Sequence, residues 1–182
     1  MPNLTKLKLE SSNFQEEFYS TLNAKAPTLQ VQTLELWNVQ CPTSASSINL
    51  AEALCSMPNL THLTLSGKEF KKEFFATLNA KALHVQTLEL WDVQCPTSAS
   101  SINLAEALCS MPKLTDLTLG GIFQEEFFAT LNAKALQGSF PQIRNGNFRF
   151  NGDSQADIDS FLQSLTDCRS VNTLALTLLK HE

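Results

Sequence analysis

VQTLELWNVQCPTSASSINLAEALCSMPNLT (Val31–Thr61) returns almost unchanged as VQTLELWDVQCPTSASSINLAEALCSMPKLT (Val85–Thr115). Only Asn38/Asp92 and Asn59/Lys113 differ. A near-identical copy within one chain predicts a stacked repeat array, in which each unit buries its apolar face against the next. Such arrays present an extended surface far more often than a catalytic pocket.

Inside the copied block lies a shorter element, L-x-x-L-x-L. It begins at Leu4, Val31, Leu60, Val85, Leu114 and Val171, with a weaker copy read as Asn145-Phe148-Phe150. Successive starts fall 25 to 31 residues apart. Each L-x-L predicts a short strand with leucines inward and the intervening residues outward. Between strands the period changes to that of a helix. EEFYSTLNAKA (Glu16–Ala26), KEFFATLNAKAL (Lys72–Leu83) and EEFFATLNAKAL (Glu125–Leu136) set Phe18/Leu22, Phe74/Leu78 and Phe127/Leu131 on one face at i,i+4. The second residue of each doublet, Tyr19, Phe75 or Phe128, is then expected nearer the flank or the convex side. The other helix type is SSINLAEALCSM, with a CPTSAS lead-in suited to a helix N-terminus and Pro58 or Pro112 as its stop. A third type is expected at Gln155–Cys168.

Strand, loop and helix in about 28 residues match the leucine-rich-repeat period. MPNLTKLKL, MPNLTHLTL and MPKLTDLTL, with their INLAEALCS helices, resemble ribonuclease-inhibitor-type repeats, in particular those of Nod-like receptors. The resemblance implies an α/β leucine-rich-repeat solenoid, a horseshoe with a concave parallel sheet and convex helices. It also implies a recognition role and an innate-immune setting. No nucleotide-binding or death-fold module accompanies the repeats. The chain is expected to form one domain of about seven repeats, near 1–28, 29–56, 57–82, 83–110, 111–140, 141–170 and a partial 171–182. The family often carries Asn or Cys just after the strand. Val39 and Val93 stand there instead, so an asparagine ladder is not expected to hold these turns. The repeats start and finish on strands without a polar cap, which suggests a longer array or self-association through the ends.

The outward strand residues would form the concave wall. Trp37 and Trp91 fall at one repeat position, two strands apart, with Ser66 between them, Glu35 and Glu89 beside them, and Thr64 and His62 on the intervening strand. Asn38 and Asp92 follow the indoles directly. Two readings stand. The indoles flank a shallow groove over Ser66 and bind a ligand, with the carboxylates available to sugar hydroxyls or a cation. Alternatively, each indole covers the leucine edges of its neighbouring strand.

The remaining composition narrows the function. The 182 residues carry a formal charge of −5, so no basic footprint invites nucleic acid. No apolar run approaches the roughly 18 residues that cross a bilayer, and no signal core opens the chain. A cytoplasmic protein is expected, or a secreted one if a leader was removed. Four of the five cysteines are two repeat positions copied, which is how buried, reduced packing thiols look. No metal-ligand spacing, phosphate-cradling loop or nucleophile–base pair occurs, so neither cofactor nor catalysis is expected. The expected partner is a protein, or a microbial glycan or glycolipid. A scaffold or inhibitor that blocks one protein partner is the alternative.

Overall fold

A computed structural model describes residues 4–11, 14–68, 70–151, 159, 162 and 173–179. Seven strands form one parallel sheet in chain order: β1 (Lys6–Glu10), β2 (Thr33–Trp37), β3 (His62–Ser66), β4 (Thr87–Gln94), β5 (Asp116–Ile122), β6 (Asn145–Asn151) and β7 (Thr173–Leu179). Among the described residues five α-helices alternate with them: α1 (Glu16–Lys25), α2 (Ser44–Ser56), α3 (Lys72–Lys81), α4 (Ser98–Cys109) and α5 (Glu125–Leu136). Each helix packs on the next in the chain, α1 on α2 through α4 on α5, so they form one layer. The sheet face beneath them buries Leu34, Leu36, Leu63, Leu65, Leu88, Leu90, Leu117 and Leu119. The other face carries the intervening residues. Of the helix expected at 155–168, Asp159 and Leu162 are described and are helical; the rest, Cys168 included, lies outside the described residues.

Each α2-type helix begins on a threonine. Thr43 Oγ1 accepts from Ser46 N at 3.0 Å, and Thr97 Oγ1 from Ser100 N at 3.2 Å. This satisfies a helix-start donor that has no intrahelical partner. Thr43→Ala or Thr97→Ala should each lower stability by about 1 kcal/mol in urea unfolding, with unchanged slope. The next serine serves the following repeat. Ser47 Oγ accepts from Lys71 N at 3.4 Å and Ser101 Oγ from Gln124 N at 3.2 Å. Both serines are fully buried. This serine, rather than an asparagine, ties one repeat's helix to the next repeat's turn. Cys41 and Cys95 lie buried in the same layer, and burial pushes their thiols up to about 11 and about 12. They stay protonated near neutral pH and act as packing groups.

The phenylalanine doublets depart from the sequence expectation. Tyr19, Phe75 and Phe128 are buried, at 1% exposure or less, rather than placed at the flank. A helix in this array is covered on more than one side, by the sheet below and by neighbouring elements beside it. The Tyr19 hydroxyl donates to the Gln40 carbonyl at 2.7 Å, which places its ring under the loop after β2. A third ring, unmarked by helical periodicity, precedes each doublet. Phe14, Phe70 and Phe123 lie 4.2, 4.8 and 4.6 Å from Phe18, Phe74 and Phe127. Each doublet is edge-to-face at 5.2–5.3 Å. Three rings thus repeat as a unit in a favoured aromatic geometry.

The register of β6 is a second correction. Leu117 pairs with Gly146, Leu119 with Phe148 and Gly120 with Arg149. The L-x-x-L-x-L element of this repeat therefore runs Ile143-Gly146-Phe148, two residues earlier than the expected Asn145-Phe148-Phe150. Ile143 and Phe148 are buried. Ile143 lies 29 residues after Leu114 and 28 before Val171, which replaces the expected gaps of 31 and 26 residues and narrows the range of spacing to 25–29. Gly146 in place of the usual leucine disguised the pattern.

β4 carries a bulge near its end, and the copied segment after β2 has the same left-handed residue. Leu90 pairs with Leu119 but Val93 with Gly121, so β4 has one residue more than β5 over this stretch. Asn38 and Asp92 sit there at φ 57° and 56°. Asn and Asp tolerate this left-handed conformation best among residues with a side chain, which accounts for their exchange between the copies. This geometry returns Val39 and Val93 to the core. It also brings their carbonyls so close to the next strand that a Cβ on Gly67 or Gly121 would stand 2.1 or 2.0 Å from them.

Candidate ligand-binding face

Strand register sorts the outward side chains into rows that cross the sheet. The first reads Lys6, Thr33, His62, Thr87, Asp116, Asn145 and Thr173. The second reads Lys8, Glu35, Thr64, Glu89, Thr118, Asn147 and Ala175. In the third, Glu10 pairs with Trp37, Ser66 with Trp91, and Gly120 with Arg149. Glu35, Glu89, Thr64, His62, Trp37, Trp91 and Ser66 thus share the open face, as expected. Asn38 and Asp92 do not join the rows. They lie exposed near the strand ends, where Asp92 borders two small clefts beside Lys68. An Asn145-Phe148-Phe150 element would set Arg149 in the second row. The corrected register moves it into the row of the indoles.

The indoles do not flank an open groove. A Cβ on Gly120 would meet Trp91 Cε3 at 3.3 Å, so the Trp91 ring lies across β5. Ser66, the residue expected to form the groove floor, is only 5% exposed. The covering role is therefore realised at Trp91, and glycine at position 120 is what lets the ring lie flat. Both indoles nevertheless remain partly exposed. A cation stands over each: Lys8 Nζ is 5.6 Å from the Trp37 centroid and Arg149 Cζ is 5.0 Å from that of Trp91. The result is a strip, Lys8–Trp37–Trp91–Arg149, running across the sheet.

The two copies differ in how the indole N–H is satisfied. Trp91 Nε1 donates to Glu89 Oε2 at 3.2 Å, and Thr64 donates to the same oxygen at 3.5 Å. Trp37 Nε1 is buried with no hydrogen-bond partner. Its counterpart acceptor, Glu35, is held by Lys6 at 2.6 Å. Lys6 is the foremost cause of the lowered Glu35 carboxyl pKa. The nearby Trp37 N–H adds to the effect without reaching bonding geometry. His62 holds on β3 the place that Lys6 holds on β1, and its ring nitrogen bonds the Thr61 hydroxyl at 2.8 Å instead. One exchange, Lys6 for His62, thus separates a satisfied indole from an orphaned one. A buried donor left unpaired costs roughly 1–3 kcal/mol.

Other chemistry is not assembled. Among the described residues no three His, Cys, Asp or Glu side chains gather to hold a metal ion. No described helix is long and apolar enough to cross a membrane. The Cys55 thiol, pushed up to about 11 by burial, lines a cleft of about 520 Å³ between the end of α2 and the loops that lead into the neighbouring strands. His84 lines the same cleft. Comparisons with protein-family models, with curated proteins and with solved structures return no match for this chain.

Proposed function

We propose that the chain is a leucine-rich-repeat horseshoe that acts as a non-enzymatic recognition module. It holds a protein or a microbial surface ligand on the concave, helix-free face of its sheet, in an innate-immune setting. Several observations support the architecture. A doubly wound sheet reverses its strand order and carries helices on both faces. Here the order is monotonic, the helices form one layer, and the leucine spacing narrows to 25–29 residues once Ile143 takes its place. Buried, protonated Cys41 and Cys95 suit a reducing cytoplasm.

The observation that carries the binding reading is the strip itself. Two partly exposed indoles lie on the helix-free sheet face with a cation over each and one indole donor unfilled. Aromatic and arginine side chains supply most of the energy of many interfaces. The test is a pull-down with the wild-type chain beside the Trp37→Ala/Trp91→Ala double variant. Partners retained by the wild type should be lost by the variant. An unchanged partner list would remove the strip from the function. Competition by free saccharide would mark a glycan ligand. A single captured protein, insensitive to sugars, would favour the blocking-inhibitor alternative.

A further inference from the structure

This inference rests on the recognition reading and concerns what the ligand brings to the strip. All carboxylates of the face but Glu10 are closely engaged through at least one oxygen. Glu35 holds Lys6, Glu89 accepts from Trp91 and Thr64, and Asp116 accepts from Asn145 and Thr115. Neutral sugars are commonly gripped by carboxylates that accept from their hydroxyls, and most of these carboxylates already accept from the protein. The face also leaves donors over. Trp37 Nε1–H has no partner. Arg149 is exposed over Trp91 and forms no ion pair among the described residues. The nearest carboxylate to Lys8, that of Glu10, is at a loose 4.0 Å. These three donors lie at the two ends of the indole strip, so acceptors and apolar contact are wanted together.

We infer that the strip binds an acidic peptide segment of a partner protein. One carboxylate accepts from Trp37 Nε1–H beside Lys8, a second acceptor meets Arg149, and an apolar side chain between them lies on the indoles. The Trp37 ring is only partly buried and the Lys8 side chain is 54% exposed, so side-chain movement alone opens the donor. Charge-assisted bonds of this kind are roughly twice as strong as neutral ones. They also compensate a donor that the free protein leaves unmet.

The test uses the whole chain against an array of capped twelve-residue peptides, with hits remade for fluorescence anisotropy. Hits should be enriched in Asp or Glu next to Leu or Phe, and replacing the acid by its amide should weaken binding at least tenfold. Trp37→Phe keeps a ring and deletes the donor, so it should weaken acidic hits at least fivefold. Trp91→Phe should do less, because Glu89 already occupies that N–H. Lys6→Met gives a second route that leaves the ring untouched. It frees Glu35 to accept from Trp37 as Glu89 does from Trp91, and affinity for acidic peptides should fall. Hits without acid enrichment, Trp37→Phe binding like wild type, or competition by neutral saccharide would each overturn the inference, as would an array with no hits. If the Trp37→Ala/Trp91→Ala variant abolishes binding while Trp37→Phe does not, the recognition face stands and only its acidic preference falls. If the double variant binds normally, the face reading itself fails.

Discussion

Phe75→Ala should destabilise the protein by about 3–5 kcal/mol, as much as Phe74→Ala. Helical periodicity assigns only Phe74 to the core, yet both rings have 0% exposure. They meet edge-to-face at 5.2 Å, and Phe70 lies tilted against Phe74 at 4.8 Å. Removing either ring leaves a cavity bordered by the other two and forfeits the aromatic pairing as well. For a chain of this length the loss corresponds to a fall of roughly 6–20 °C in Tm. Phe18→Ala should cost less, because α1 has a helix neighbour on one side only among the described residues and Phe18 is only partly buried. Urea unfolding of the three variants gives the comparison. A cost below about 1 kcal/mol for Phe75→Ala would put that ring at the surface.

Gly121→Ala, and equally Gly67→Ala, should cost about 3 kcal/mol, at the upper end of overpacking. The added Cβ would stand 2.0 Å from the Val93 carbonyl oxygen in one case and 2.1 Å from that of Val39 in the other. Those atoms belong to backbone, so no rotamer change relieves the clash. The strands must separate, which strains the bonds Val39 N→Ser66 O at 2.8 Å and Gly67 N→Trp91 O at 3.2 Å beside Gly67. Gly138→Ala is the control. Its φ of +70° imposes a left-handed conformation, but nothing lies within 4 Å, so the cost should be about 1 kcal/mol. Thermal unfolding of the three variants separates crowding from backbone conformation. Gly121→Ala with wild-type stability would mean that the bulge does not bring the neighbouring strand this close.

Much of the architecture was legible in residue order. A leucine at every second strand position, a threonine before each SSINLAEALCS helix and a proline after it are local signals. They act within one element and do not depend on what lies next to it. The strands from Lys6 to Ile122, the five described helices and the sidedness of Trp37 and Trp91 all follow from such signals. The reading slipped at β6, where Gly146 replaces the expected leucine. Phe148 and Phe150 then offered an equally good period-2 pattern two residues further on. Only pairing with Leu117 and Leu119 selects between the two registers. That selection is what brings Arg149 to Trp91.

The candidate face was half legible for the same reason. Sequence order placed both indoles outward, because side chains alternate along a strand. It could not say which acceptor each N–H meets, since Glu35 and Glu89 occupy identical positions in copied strands. Their difference arises across the sheet, where Lys6 on β1 and His62 on β3 are the competing neighbours. Residue order determined which segments become strands and helices, where they are capped, and which residues turn inward. Tertiary structure decided the strand register of the sixth repeat, the burial of the second ring in each doublet, the need for Gly67 and Gly121, and the unfilled donor at Trp37. The physical division is one of range: periodicity and capping act over a few residues, whereas register, crowding and competition for a hydrogen bond depend on atoms some 25 to 30 positions away in the chain.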